Sequence, residues 1–180
     1  MMSRTTARAV SRTGSTRGRS AGVTLIEMMI AIIILAVLLA IGVPAFRDAS
    51  LGSKLGSTAT NLVASVQLAR SEAIKRNRTM TLCSSTDGET CADSGDWETG
   101  WVVLDPDGNV VQTQEAAPRT ILVTQTAGPN SLSFQPIGIG ATAATFRVCR
   151  DDPVGAQERT VSLSASGSPT VTITYDRSCP

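Results

Sequence analysis

The strongest constraint on this chain is a run of 19 residues, Leu25 to Val43, in which Glu27 is the only charged side chain. As a helix, such a run is long enough to cross a hydrocarbon core of ~30 Å. Residues 1–22 hold five arginines (Arg4, Arg8, Arg12, Arg17, Arg19) and no acid. Basic residues ahead of a first span favour a cytoplasmic N-terminus and a translocated C-terminal part. The same 22 residues are mostly Ser, Thr, Gly and Arg without a periodic apolar face, so they are expected to lack fixed structure. A cleaved secretory signal would be shorter and would close on a small-x-small site, and none is obvious right after this run. A plain anchor fits the hydropathy but leaves Glu27 unexplained. A carboxylate one turn into an apolar helix is unfavourable unless it snorkels to the interface or is paired.

The segment Gly22-Val23-Thr24-Leu25-Ile26-Glu27 resembles the type IV pilin-like (class III) signal. In that family a prepilin peptidase cuts after the glycine on the cytoplasmic side, the new N-terminus is methylated, and the helix is kept as anchor and later as filament core. The resemblance implies cleavage between Gly22 and Val23, methylation of Val23, and Glu27 as the fifth residue of the mature chain. The family's usual first mature residue is Phe, and Val23 departs from it. It also implies that Glu27 pairs with a neighbouring subunit's amine in the filament. A buried carboxylate is tolerable only when paired, so that contact would also set axial register. Gly42 and Pro44 lie at the outer end of the run, where proline removes a helix donor. Resemblance to pilins implies a helix that bends or loosens here and continues; a full stop is the alternative.

Beyond Phe46, Leu51, Leu55, Ala59, Leu62, Val66, Ala69 and Ala73 recur at three and four, with Val63 and Ile74 broadening the stripe. This spacing predicts an amphipathic helix to about residue 77, with its apolar face on a sheet, although Gly52 and Gly56 weaken its start. Arg70, Lys75, Arg76 and Arg78 cluster at its end. Cations there complement the helix dipole on a solvated face, or they contact DNA phosphate or an acidic neighbouring subunit. The closing run Ala69-Arg70-Ser71-Glu72-Ala73-Ile74-Lys75-Arg76-Asn77 resembles the helix end of the GspH/FimT family of minor pilins and pseudopilins.

After Asn77 the period changes to two. Candidate strands are Thr79–Cys83, Trp97–Leu104, Val110–Gln114, Thr120–Gln125, Ser131–Phe134, Thr145–Cys149, Thr160–Leu163 and Thr170–Tyr175, punctuated by Gly and Pro. Together they predict an α+β, pilin-like fold in which a long N-terminal helix, membrane-spanning and then amphipathic, packs on an antiparallel β-sheet domain. The implied organisation is a leader at 1–22, a transmembrane helix part at 23–46 and a periplasmic head at 47–180. Trp97 and Trp101, four apart in a presumed strand, share a face and read as core rather than as a binding platform; Gly100 between them relieves crowding or marks a bulge. Asp105, Asp107 and Asn109 alternate like the opening of a calcium loop. Gly108 stands at the fourth position rather than the sixth, and no glutamate stands at the twelfth, so a hairpin turn is the better account.

Four cysteines permit three pairings. Cys83 and Cys91 bracket a polar loop, while Cys149 and Cys179 bracket the last two strands, so local pairing is expected; the family resemblance supports the second pair. A disulfide closing Cys149–Cys179 would contribute about 2–4 kcal/mol. No Cys-x-x-Cys exists, and the paired spacing that a four-cysteine zinc site needs is absent. The chain has no histidine, which excludes His-based triads and shuttles. Gly138-Ile139-Gly140 lacks the rest of a dinucleotide fingerprint, and Asp151-Asp152-Pro153 reads as a loop. No catalytic constellation, cofactor site or metal site is expected.

The whole-chain charge of +1 conceals an asymmetry: from Val23 onward there are 11 basic and 15 acidic residues, a net of −4. Together with 3% aromatics, this argues against a nucleic-acid coat. Relatives that take up DNA carry a Gly-Arg-x-Arg-like motif near the C-terminus; here Gly167-Ser168-Pro169-Thr170 lacks the arginines and only Arg177 is near. Direct strong DNA binding is therefore not expected. The resemblance implies a minor pilin or pseudopilin at or near a filament tip, held in the cell inner membrane. Its implied partners are other minor pilins or pseudopilins, the major pilin, the prepilin peptidase and the inner-membrane assembly platform. The cysteine-bearing loop and C-terminal disulfide favour a type IV pilus subunit that primes assembly. The alternatives are a type II secretion minor pseudopilin, a weakly DNA-binding uptake pilin, and a membrane-anchored protein with no filament partner.

Overall fold

The structure, a computed structural model, describes residues 22–93, 95–138, 140–151, 157–175 and 179. Residues 1–21 of the expected leader, Asp152 and Pro153 of the expected loop, and Arg177 lie outside the described residues. The chain divides into two compact units at Gly42/Val43. One helix, α1 (Leu25–Arg76), runs through this point and through Pro44, so the full stop considered there does not occur.

In the first unit every described residue is exposed. Leu25 is 79% exposed and Ile41 69%, and apolar side chains cover the helix all round. Such a surface is stable only where something other than water covers it.

The second unit holds the rest of α1 and eight strands: β1 (Met80–Ser84), β2 (Trp101–Leu104), β3 (Val110–Gln114), β4 (Ile121–Ala127), β5 (Ser131–Phe134), β6 (Ala144–Arg150), β7 (Glu158–Leu163) and β8 (Pro169–Thr174). All seven predicted stripe residues are buried, joined by Thr58 and Ser65. Ile74, expected to broaden the stripe, is 50% exposed instead. The helix ends where the spacing predicts. Asn77 takes a left-handed φ of 51°. The amide of Arg78 then donates to Ala73 O at 3.2 Å, and that of Asn77 to Ile74 O at 3.3 Å. This closes the last turn with the paired bonds of a left-handed C-cap, a conformation asparagine tolerates better than most residues.

The strands do not form one sheet. Their orders are β3-β2-β1-β5 and β4-β6-β7-β8, all antiparallel. Alternate residues from both sheets meet the helix in one core: Met80, Leu82, Val103, Leu132 and Phe134 from the first, and Ile121, Val123, Phe146, Val148 and Val161 from the second. These core residues stand two apart on their strands because Cβ atoms alternate across the pleat. Fully buried Leu55 and Leu62 each contribute about 1.5–3 kcal/mol of transfer free energy.

Trp97–Leu104 is not a single strand. Trp97–Thr99 form one 3-10 turn, and β2 starts at Trp101. Gly100 is the joint rather than a bulge. It has φ of +116°, and a Cβ there would stand 2.6 Å from Gln114 O; any side chain would both strain the backbone and collide with β3. The irregularity in the β2–β3 pairing lies at Val103/Leu104.

Candidate assembly site

The first described residues form a capped helix start. The amide of Glu27 donates to Thr24 Oγ1 at 3.3 Å, and the amide of Thr24 donates to Glu27 Oε2 at 3.5 Å. This is a reciprocal capping box, in which two otherwise orphaned backbone donors are satisfied. Its signal stands in the sequence, since Thr24-Leu25-Ile26-Glu27 has the Thr-x-x-Glu spacing just before an apolar run, but reading Glu27 only as an intermolecular partner missed it. The same carboxylate also adds negative charge at the positive end of the helix dipole. Gly22 and Val23 lie immediately ahead of this cap, both exposed.

At the other end of α1 the basic cluster is largely matched within the chain. Glu72 accepts from Lys75 Nζ at 3.1 Å and Arg76 Nε at 2.7 Å, and those two cations hold its carboxyl below the usual range. Arg78 forks onto Asp107 at 2.7 and 2.8 Å. This pair pushes Arg78 up and holds Asp107 down. Arg70 donates through Nε to Gly138 O at 3.1 Å, tying the helix to the loop after β5. The Arg78 and Arg70 contacts join residues distant in sequence, which no local pattern reports, whereas Glu72 meets Lys75 and Arg76 at the three- and four-residue spacing of a helix face.

The two tryptophans are buried and tilted, with ring centroids 6.4 Å apart. Trp97 also meets Phe146 edge-on at 4.7 Å. Each indole N–H has an acceptor: Gln125 Oε1 at 3.0 Å for Trp97, and Ser65 Oγ at 2.9 Å for Trp101. They are core, anchoring the 3-10 turn and β2, and they leave no exposed aromatic platform. Ser65 on α1 is buried because it serves Trp101 while donating to Asn61 O.

Cys83 is bonded to Cys91, with Cα atoms 5.5 Å apart, and Cys149 to Cys179, at 5.9 Å. The first closes the loop after β1. Within that loop Asp87 accepts from the amides of Glu89 and Thr90 and from the hydroxyls of Thr90 and Ser85; these bonds hold its carboxyl far below the usual range, the Thr90 amide being the largest cause. The second ties the chain beyond β8 back to β6. In the β2–β3 turn Asp105 accepts from the amides of Asp107 and Asn109 and from the Asn109 side chain, and Asp107 is turned to Arg78. Their oxygens serve the turn. Among the described residues no group of three or more His, Cys, Asp or Glu side chains could hold a metal ion.

An apolar helix with a capped start and a head closed by two disulfides thus lie on one chain. A family model described as type II transport protein GspH matches residues 58–167, more than half of the 180 residues. The chain belongs to this family. The prokaryotic N-terminal methylation motif matches residues 17–43, across Gly22, Val23 and Glu27. As a member of the GspH family the chain is a structural subunit of minor pilin or pseudopilin kind, non-catalytic, with an N-terminal apolar helix suited to membrane anchoring. Members of this kind associate with other pilin-like subunits and with assembly machinery.

Among solved structures the chain is similar to the type IV minor pilin FimU of Pseudomonas aeruginosa PAO1. One crystal form gives a TM-score of 0.55 at 22% identity, covering 67% of this chain and 89% of that one. A second gives 0.50 at 23%, covering 66% and 92%. The minor pseudopilin EpsH of the Vibrio cholerae type 2 secretion system gives 0.49 at 13%, covering 66% and 96%. The FimU likeness is one of fold. No curated protein sequence matches the chain significantly.

Proposed function

We propose that this GspH-family chain is a minor pseudopilin of a type II secretion assembly, placed at or near the tip of the pseudopilus, where it primes assembly. The observation that carries the reading is the tandem of a methylation motif over residues 17–43 and a type II transport GspH match over 58–167 on one chain. The cysteine pattern alone favoured a type IV pilus; the family match shifts the weight to secretion.

In this reading residues 1–22 are a cytoplasmic leader, cut off by a prepilin peptidase between Gly22 and Val23. Val23 becomes a methylated N-terminus. Residues 23–46 anchor the chain in the inner membrane, and 47–180 form a periplasmic head. Glu27 leaves its capping bond to Thr24 and takes a neighbour's terminal amine when the subunit joins the fibre, because a carboxylate in an apolar bundle needs a charged partner. Head contacts with other minor pseudopilins and the inner-membrane platform do the rest. The internal pairing of Lys75, Arg76 and Arg78 with acids supports a head without strong DNA affinity, since matched cations release few counterions on meeting phosphate.

The test is crosslinking of the full-length protein in its native membrane, with neighbours and the mature N-terminus read by mass spectrometry. Secretion-system neighbours and a methylated Val23 are expected. Pilus neighbours would move the protein to a type IV pilus, and an uncleaved chain without either set would overturn the reading.

A further inference from the structure

Arg150 ends β6, and its side chain is only 9% exposed. It reaches α1 across 102 residues of sequence: Nη1 donates to Asp48 Oδ1 at 3.1 Å, and Nη2 donates to the Asp48 main-chain carbonyl at 3.0 Å. In a regular helix that carbonyl also receives the amide of residue 52. Residue 52 is a glycine, and a Cβ there would stand 3.1 Å from Gln157 Oε1, tighter than an ordinary contact, and 3.9 Å from Arg150 Nη2. The missing side chain at Gly52 leaves room for the end of the Gln157 side chain beside the guanidinium.

The neighbourhood of this contact is uneven. Val43 to Ala49 are all exposed, and Pro44 lacks a helix donor. Leu51 is the first buried residue of α1. Gly52 and Gly56, both poor helix formers, follow within two turns. By local propensity this stretch is the weakest part of the helix within the head.

We infer that Arg150 is a latch that sets where α1 becomes part of the rigid head. From Asp48 onward the helix cannot unwind without leaving a buried guanidinium without its carboxylate and carbonyl, which is strongly unfavourable. Before Asp48 no such penalty applies, and Val43–Arg47 are free to fray or bend. The latch thus offsets the two glycines and gives the head a sharp N-terminal boundary one turn past Pro44. Arginine suits this role because its planar fork reaches a side-chain and a main-chain oxygen at once, which an ammonium cannot do with the same geometry.

The test is amide hydrogen exchange on the full-length chain in detergent micelles, comparing wild type with Arg150→Met. Exchange over residues 48–56 is expected to rise about tenfold or more, while peptides covering Thr58–Ala73 and β1 stay within about twofold of wild type. Asp48→Asn, which keeps the main-chain acceptor, gives a smaller rise in the same window. Unchanged exchange at 48–56 would overturn the inference. So would a uniform rise across the head, since Arg150 would then be a general stability residue. If Arg150→Met does not fold, Arg150→Lys is read in the same way, with the same local pattern expected and the same two results overturning it.

Discussion

The two parts of α1 obey different rules. Between Leu25 and Gly42 the helix is apolar on every side and buries nothing within the chain. Between Leu51 and Ala73 it is apolar on one stripe, and that stripe is buried against two sheets. The first part is defined by what must cover it, and under the proposed function a substitution there is expected to act on assembly. The second is defined by what it already touches, and a substitution there acts on folding. One helix therefore carries two nearly independent sets of consequences.

The largest test of this separation is Glu27→Val. Removing the carboxylate takes away both the capping bond and the proposed intermolecular ion pair. Crosslinked co-assembly is expected to fall by about tenfold or more, with cleavage at Gly22–Val23 and the melting temperature of the head unchanged. A lowered head melting temperature would break the comparison. Trp101→Ala should do the reverse. It removes a fully packed indole and leaves Ser65 without its donor, at a cost of about 3–5 kcal/mol, seen as a lower denaturation midpoint with leader processing intact.

A smaller effect is expected from replacing Cys149 and Cys179 together by serine. Opening that loop should lower head stability by about 2–4 kcal/mol, measurable by chemical denaturation, without altering the anchor. The smallest concerns acid. Asp87 and Asp107 have folded pKa values below their unfolded ones. Their contribution is therefore present above the unfolded value, about 4, and is lost as pH falls through the folded value. Asp87→Ala and Asp107→Asn should lower the melting temperature modestly at pH 7, by a difference that shrinks as pH falls below about 4, so the acid side of the curve is flatter than in wild type. A difference that persists undiminished in acid would contradict the assignment.

How much of this was legible in the sequence follows the range of the interactions. The helix stripe was read residue by residue, since burial on a helix repeats every three to four positions. The end of α1 at Asn77 was legible because a period change and a residue tolerant of left-handed φ coincide. The capping box was legible too, as Thr24 and Glu27 are three apart just before an apolar run. The 3-10 turn at Trp97 was not. Its two tryptophans stand at a spacing that a strand would also place on one face, and the positive φ of Gly100, packed against Gln114 O, is set by the tertiary fold.

The sequence by itself determined the anchor, its signal, the amphipathic helix and most strand positions, because each depends on neighbours within a few residues. The tertiary structure alone decided how the strands sort. Chain order passes from β3 to β4, from β4 to β5 and from β5 to β6, switching sheet each time. Two-residue alternation says which face of a strand is buried but not which strand lies beside it. It also decided what the cations do. Arg70, Arg78 and Arg150 look alike in sequence, and they were separated only when folding brought Gly138, Asp107 and Asp48 within hydrogen-bond distance.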